Sequence, residues 1–358
     1  MSLKPLRNMT FSQEGAHRPR HKGGLLALYA ILLLSACEAP SLGVEYRGER
    51  LDVVDMHLHT GEWDHIPPGT QHFLAERFPH PIGLNAATVA EAQISPQGIL
   101  EQMDRGGVER AVLLAVYAPR TVGVTTNEQV IENLAAAPER LMGLASLRVD
   151  RWDLEADEQL AALDAALSVP GMVGVKLAHA HMHFRFDDPA YWGIYSVAAA
   201  HDAPVYLHTG STPFPGAADE PAYTDPAYLE AAIQAHPDTR FIIGHLGYDF
   251  LAKRPGHLEE CLRLASTYSN VWLEPSALGS KGADPSGENL THAMRRIREE
   301  GLTSRVIYGS DGPQAPGFVA DYLERTLVAM EAGGWTTAEA QSALRGNFDQ
   351  LFGAALEP

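Results

Sequence analysis

Two cysteines in 358 residues, Cys37 and Cys261, are too few for a disulfide framework, so the fold must rest on a hydrophobic core. Basic charge is also scarce. Lys and Arg number 27 against 45 Asp and Glu, a net charge of −18. A body this acidic repels phosphate backbones and anionic headgroups, which argues against nucleic acid as a partner. No Gly-rich dinucleotide fingerprint or phosphate loop follows any candidate strand, which weakens an open Rossmann-like sheet. No low-complexity linker interrupts the chain from residue 51 to the end. What remains is an ordinary globular balance, 45% hydrophobic and 20% charged, with ample material for a large core.

The N-terminus reads as an address. Arg18, Arg20, His21 and Lys22 form a basic cluster, and the apolar run GLLALYAILLL at 24–34 is short for a membrane span. Leu34-Ser35-Ala36-Cys37 follows and resembles the lipobox of bacterial lipoproteins. That resemblance implies a signal peptide over 1–36, cleavage before Cys37 and a lipid anchor on Cys37, with 37–50 as a short tether. Glu38 in place of Asp favours the outer membrane, on its periplasmic side. A plain secretory peptide, giving a soluble periplasmic or secreted protein, and an uncleaved anchor helix are the alternatives; Met9 is a second candidate start. Residues 1–36 hold five Lys/Arg and one Glu, so their removal takes the mature charge to −22. Membrane contact is then expected only through the lipid. Cys261, within HLEECLRLAS, reads as a buried helical thiol rather than a nucleophile.

From 51 onward, short aliphatic runs alternate with amphipathic stretches. Strands are expected at 51–58, 110–117, 141–148, 172–178, 204–209, 240–245, 271–275 and 305–310. Helices are expected near 96–105, 127–137, 154–168, 189–202, 226–236, 257–268, 288–300 and 317–332, with a last one near 337–350. Ser95-Pro96 and Asp225-Pro226 mark two of their starts. Eight such alternations over 51–358 predict a single-domain α/β protein, a (β/α)8 TIM barrel. The least regular stretch, 60–95, would lie over the mouth as a lid or substrate wall.

In a barrel every strand delivers its C-terminal residues to one rim. The first strand, VVDMHLHT at 53–60, offers Asp55, His57 and His59. These share one parity, so an unbroken strand puts all three on one face, with the two imidazoles about 7 Å apart along it. Later strand ends present Lys176, His208, His245 and Asp311.

This order of groups resembles the amidohydrolase superfamily. The flanking residues narrow it to the amidohydrolase-related branch that includes aminocarboxymuconate-semialdehyde decarboxylase and pyrone-dicarboxylate lactonase. The matching pieces are D-x-H-x-H at 55–59, G-x-K at 174–176, H-x-G at 208–210, G-H-x-G at 244–247 and G-S-D-x-P at 309–313. Gly346-Asn347-Phe348 through Leu351-Phe352-Gly353 also look like the family's end, and the likeness spans roughly 51–354. It implies one divalent metal, most often zinc, on His57, His59, His208 and Asp311. Zinc held by imidazoles and a carboxylate leaves a position for water, whose pKa falls to around 7. Asp311 would also carry protons, and His245 would orient the water or polarise the substrate.

Lys176 has two readings. In two-metal branches it is carboxylated and bridges the ions, with His208 and His245 on the second. In the one-metal pattern it stays an ammonium and binds the substrate's carboxylate or carbonyl. Asp55 reads as a brace for the strand or a histidine partner rather than a ligand. Arg120 and Arg148 would suit a carboxylate-bearing substrate, or else form surface ion pairs; His179, His181 and His183 follow strand four closely. Glu274 ends strand seven without an assigned role. The leading function is a metal-dependent hydrolase opening a C–O or C–N bond of a small ester, lactone or amide. A non-oxidative decarboxylase on the same site is the alternative, and a non-catalytic binding lipoprotein a third. A deoxyribonuclease on the same scaffold conflicts with the acidic charge.

Overall fold

A computed structural model describes residues 42–76 and 85–353. The leader, Cys37 and the lipobox lie outside the described residues. Seven parallel strands form one curved sheet: β1 (Val54–His59), β2 (Arg110–Leu114), β3 (Leu141–Ala145), β4 (Met172–Leu177), β5 (Val205–His208), β6 (Phe241–Gly244) and β7 (Val271–Glu274). Each pairs with its neighbour in chain order.

The expected eighth strand is an extended segment rather than a regular one, yet it closes the barrel. Ile307 N–H donates to Leu273 O at 2.9 Å on one side, and Met56 N–H donates to Tyr308 O at 3.1 Å on the other. Further along, Asp311 N–H donates to His57 O and His59 N–H to Gly312 O. The ladder is interrupted because Ser310 N–H donates to the Asp55 carboxylate instead of a strand carbonyl. Asp311 then turns into the left-handed region at φ 66°.

Most expected helices are present with shifted ends. Ser95 caps Pro96–Gly106 by accepting from Gly98 N–H, and Thr126 with Gln129 forms a capping box before Asn127–Leu134. Asp225 caps a short 3-10 turn, Pro226–Leu229, before the helix Glu230–Ala235. The stretch 60–95 holds more structure than its sequence suggests. A 3-10 turn at Trp63–His65 is followed by helices Pro68–Ala75 and Ala86–Ile94, the second capped by Asn85. Two antiparallel hairpins are additions to the expected plan. One pairs Val44–Tyr46 with Glu49–Leu51 and is pinned by the Tyr46 hydroxyl donating to Trp335 O. The other, Val116–Ala118 with Gly123–Thr125, takes up the end of the expected second strand.

The core has two layers. Inside the barrel, Met56, Leu114, Leu144, Ile242, Trp272 and Ile307 pack together, and Phe348, Leu351 and Phe352 from the last helix close that cluster. A larger shell fills the space between strands and helices. Full burial of each such aliphatic or aromatic side chain contributes roughly 1.5–3 kcal/mol. Among the described residues no helix is long and apolar enough to cross a membrane.

Candidate metal centre

Strand β1 does not alternate cleanly. Val54 and Met56 pack in the barrel interior and Leu58 in the outer shell, and the pairing with β2 slips between Asp55 and Leu58. The bulge sends His57 and His59 to the mouth but not Asp55, so the three residues do not share one face. Asp55 instead accepts from the backbone N–H groups of His57 (3.0 Å) and Ser310 (2.9 Å). It braces β1 against the closing segment. Burial pushes its pKa up to about 6.

At the mouth, His57 Nε2 and His59 Nε2 approach the same oxygen, Asp311 Oδ1, at 3.0 and 2.9 Å. The buried His57 Nε2 faces Asp311 at that distance and has no other hydrogen-bond partner. Ligand atoms of these three residues lie within 4.8 Å of one another. Two imidazole nitrogens and a carboxylate oxygen aimed at one point, one nitrogen buried and unsatisfied, are donors arranged for a divalent cation. Burial works to raise the Asp311 carboxyl, but the His57 and His59 imidazoles hold it well below the usual carboxylate range. Its second oxygen accepts from Gln314 Nε2 at 2.9 Å.

The far side of His57 is fixed as firmly. Its Nδ1 lies 3.2 Å from Glu274 Oε1 and 3.1 Å from Ser276 Oγ, which leaves Nε2 facing the mouth. Burial opposes ionisation of Glu274, yet the neighbouring His57 and His245 imidazoles outweigh it and its pKa is lowered. Lys176 is buried, and its ammonium lies 3.9 Å from the centre of the Tyr206 ring. Among the described residues it forms no ion pair. Burial pulls its pKa down to about 8, against the attraction of Asp311 and Glu274.

His208 stands outside the group of three. Its ring is 4.4 Å from that of His245 and 5.0 Å from that of His181, and its Nε2 is buried without a hydrogen-bond partner. His245 has φ 60° and is followed by Leu246 at φ 50°, a backbone that side chains seldom adopt. Its Nδ1 lies 3.1 Å from Ser276 O, its Nε2 3.2 Å from the Tyr206 hydroxyl. Burial lowers its pKa to about 4.

The loop residues divide. His181 reaches the rim beside His208 and Phe214, whereas His179 is stacked between Phe184 and Phe186 in the core. His183 Nε2 bonds Gly216 O at 2.8 Å. Arg148 is taken up by Glu155 (2.5 Å) and Asp150 (3.7 Å) on the surface, and Arg120 is exposed. The 60–95 stretch, expected to wall the mouth, meets the loop that follows β5 through Phe73 and Phe214, ring centres 5.1 Å apart. A separate recess of about 330 Å³, lined by Gly61, Trp63, Glu91, Gln129 and Asn133, contains none of the rim residues.

Sequence reasoning gave Glu274 no task and passed over Tyr206, Ser276 and Gln314. Tyr206 stands two residues before His208 and therefore on its face of β5, a parity signal that was readable.

Fold and rim together define a parallel α/β barrel with a metal-type donor group where its strands end. The chain belongs to the amidohydrolase family, whose sequence profile matches residues 54–353. Among curated proteins no sequence match is found. Among solved structures it is similar to an uncharacterised TIM-barrel protein from Bordetella bronchiseptica, 20% identical with a TM-score of 0.65, covering 86% of this chain and 100% of that one. It is also similar to a probable 2-pyrone-4,6-dicarboxylic acid hydrolase from Acinetobacter baumannii, solved with citric acid bound: 19% identity, TM-score 0.57, 85% and 100% covered. A third is 5-carboxyvanillate decarboxylase from Sphingomonas paucimobilis, with 14% identity, TM-score 0.56, and 84% and 99% covered. At these identities the likeness is one of fold.

Proposed function

We propose that this chain is a metal-dependent hydrolase that opens a C–O or C–N bond of a small ester, lactone or amide. The observation that carries the proposal is the convergence of His57 Nε2 and His59 Nε2 on Asp311 Oδ1. These three residues would hold the ion, with the unpartnered His208 Nε2 as a fourth donor. The donor set suits zinc, and we propose one zinc per chain; a second ion would require a carboxylated Lys176. A divalent ion held there supplies Lewis acidity, which polarises the substrate and lowers the pKa of water.

The chain's own groups divide the remaining work. Asp311, kept ionised, is competent to accept a proton from the attacking water and pass it to the leaving atom. His245, kept neutral by burial, orients reactants from the adjacent strand end. Lys176 presents an ammonium to the substrate's carbonyl or carboxylate. Metal analysis of purified protein should find one zinc per chain, and His57→Ala should lose both metal and turnover. Turnover retained without metal would sink the proposal.

The buried, unpaired Lys176 supports a second reading, a non-oxidative decarboxylase whose substrate carboxylate meets that ammonium. Carbon dioxide release without net water consumption separates the two. A non-catalytic binding protein is the weaker third reading. We also propose a lipid anchor at Cys37 and a place on the periplasmic side of the outer membrane, which the mass of the mature N-terminal peptide tests directly.

A further inference from the structure

Buried polar atoms without a partner are rare, and each needs an explanation. Three histidines at the rim carry one. His57 Nε2 and His208 Nε2 are accounted for by the proposed ion; His181 Nδ1 is accounted for by nothing described so far. His179 also has unpartnered nitrogens, but its ring is packed between Phe184 and Phe186 in the core, centres 3.9 and 4.1 Å away.

His181 differs in place. It belongs to the short helix His179–Met182 directly after β4, whose end bears Lys176. Its ring meets that of His208 edge-on at 5.0 Å and that of Phe214 at 5.8 Å. The backbone around it is strapped down. The Thr121 hydroxyl donates to His181 O at 3.3 Å, and Ala218 N–H donates to Ala180 O at 2.8 Å. The ring is thus held at the rim without any hydrogen bond of its own.

Neither ring nitrogen of His181 has a hydrogen-bond partner among the described residues, and of the two only Nδ1 is fully enclosed. A neutral imidazole has one N–H and one lone pair. An enclosed N–H with no acceptor is the costlier arrangement, so the hydrogen belongs on Nε2. Of the neighbouring charges, the Lys176 ammonium acts on His181 most strongly. A cation with a neutral N–H donor near it suits a carboxylate.

We infer that His181 is a substrate-binding residue, whose Nε2–H donates to one oxygen of a substrate carboxylate while Lys176 meets its charge. The inference rests on the proposed reading of Lys176 as a substrate contact.

The test uses phenylacetate as the probe, and phenylacetamide as its neutral counterpart, on the purified chain labelled with 15N-histidine. His181 resonances are assigned through His181→Gln. The metal-free wild type should show the Nε2–H tautomer, and phenylacetate should shift its resonances saturably where phenylacetamide does not. By calorimetry, His181→Phe should bind phenylacetate on the order of 10-fold more weakly, as expected for a lost hydrogen bond to a charged group, and His181→Gln should recover part of that. The zinc content of His181→Phe should equal that of the wild type. Absent phenylacetate binding, unmoved His181 resonances, or equal binding by His181→Phe each overturn the inference. So does loss of zinc from that variant, which would make His181 a ligand of the ion. If His181→Phe does not fold, the wild-type resonances decide alone. A wild type that takes no zinc sinks the metal-dependent reading and leaves the metal-free titration to decide His181, whereas binding unchanged in Lys176→Met overturns the pairing inferred here.

Discussion

A Cβ on Gly309 would stand 2.1 Å from Glu274 Oε1. The closing segment thus runs directly against the carboxylate that orients His57, and it does so because residue 309 has no side chain. Gly309→Ala must push Glu274 away or shift the segment that carries Asp311. Overpacking of this kind costs typically 1–3 kcal/mol. We expect a lower Tm in thermal denaturation and weaker zinc binding in the same variant; an unchanged metal affinity would show that Glu274 does not matter to the centre.

Glu274 can be tested without that steric insult. Glu274→Gln keeps the shape but weakens the acceptor facing His57 Nδ1. Loss of such an outer partner typically lowers metal affinity 10–100-fold. Competition with a chromophoric chelator should read that loss, and Glu274→Asp should recover part of it.

Lys176 is held in its buried place at the expense of stability. Its pKa falls from 10.5 to about 8 on folding, chiefly through burial. A base with a depressed folded pKa has its stabilising contribution above the unfolded value, and loses it as pH falls through the folded one. At pH 7 the ammonium therefore costs about 3 kcal/mol by linkage. Lys176→Met in chelator-treated protein should raise the Tm below about pH 8, with the gain fading toward pH 10.5. A gain independent of pH would assign the effect to packing alone.

Arg148 provides the contrast. Its guanidinium is spent on Glu155 and Asp150 at the surface, where ion pairs contribute about 0–1 kcal/mol. Arg148→Ala should leave zinc content unchanged and stability within about 0.5 kcal/mol by denaturant titration. A large loss of metal would place Arg148 nearer the chemistry than its ion pairs do.

The alternation of apolar runs and amphipathic stretches was enough to read the barrel, because each strand and helix is local in sequence. His57, His59 and Asp311 were readable as strand-end residues that converge for the same reason. The bulge in β1 was not: parity assumes an unbroken ladder, and the slip between Asp55 and Leu58 depends on the neighbouring strand. The eighth strand was misread in a related way, since the Asp55 carboxylate takes Ser310 N–H from a residue 255 positions away. Tyr206 was legible by parity but looked like core, and only its hydroxyl's contacts with Glu274 and His245 place it among the rim residues. The group of three excludes His208, which no pattern of residue types could have foreseen.

His59 and Asp311 meet across 252 residues of chain, and the segment bearing Asp311 is also the one that shuts the barrel. Biogenesis inherits that arrangement. A nascent chain displays two histidines with no carboxylate to share, so an ion held as proposed would be captured only after the last strand position has been made. On the proposed metal centre, loading and completion of the fold would be a single event, and a chain truncated before residue 306 should emerge without either.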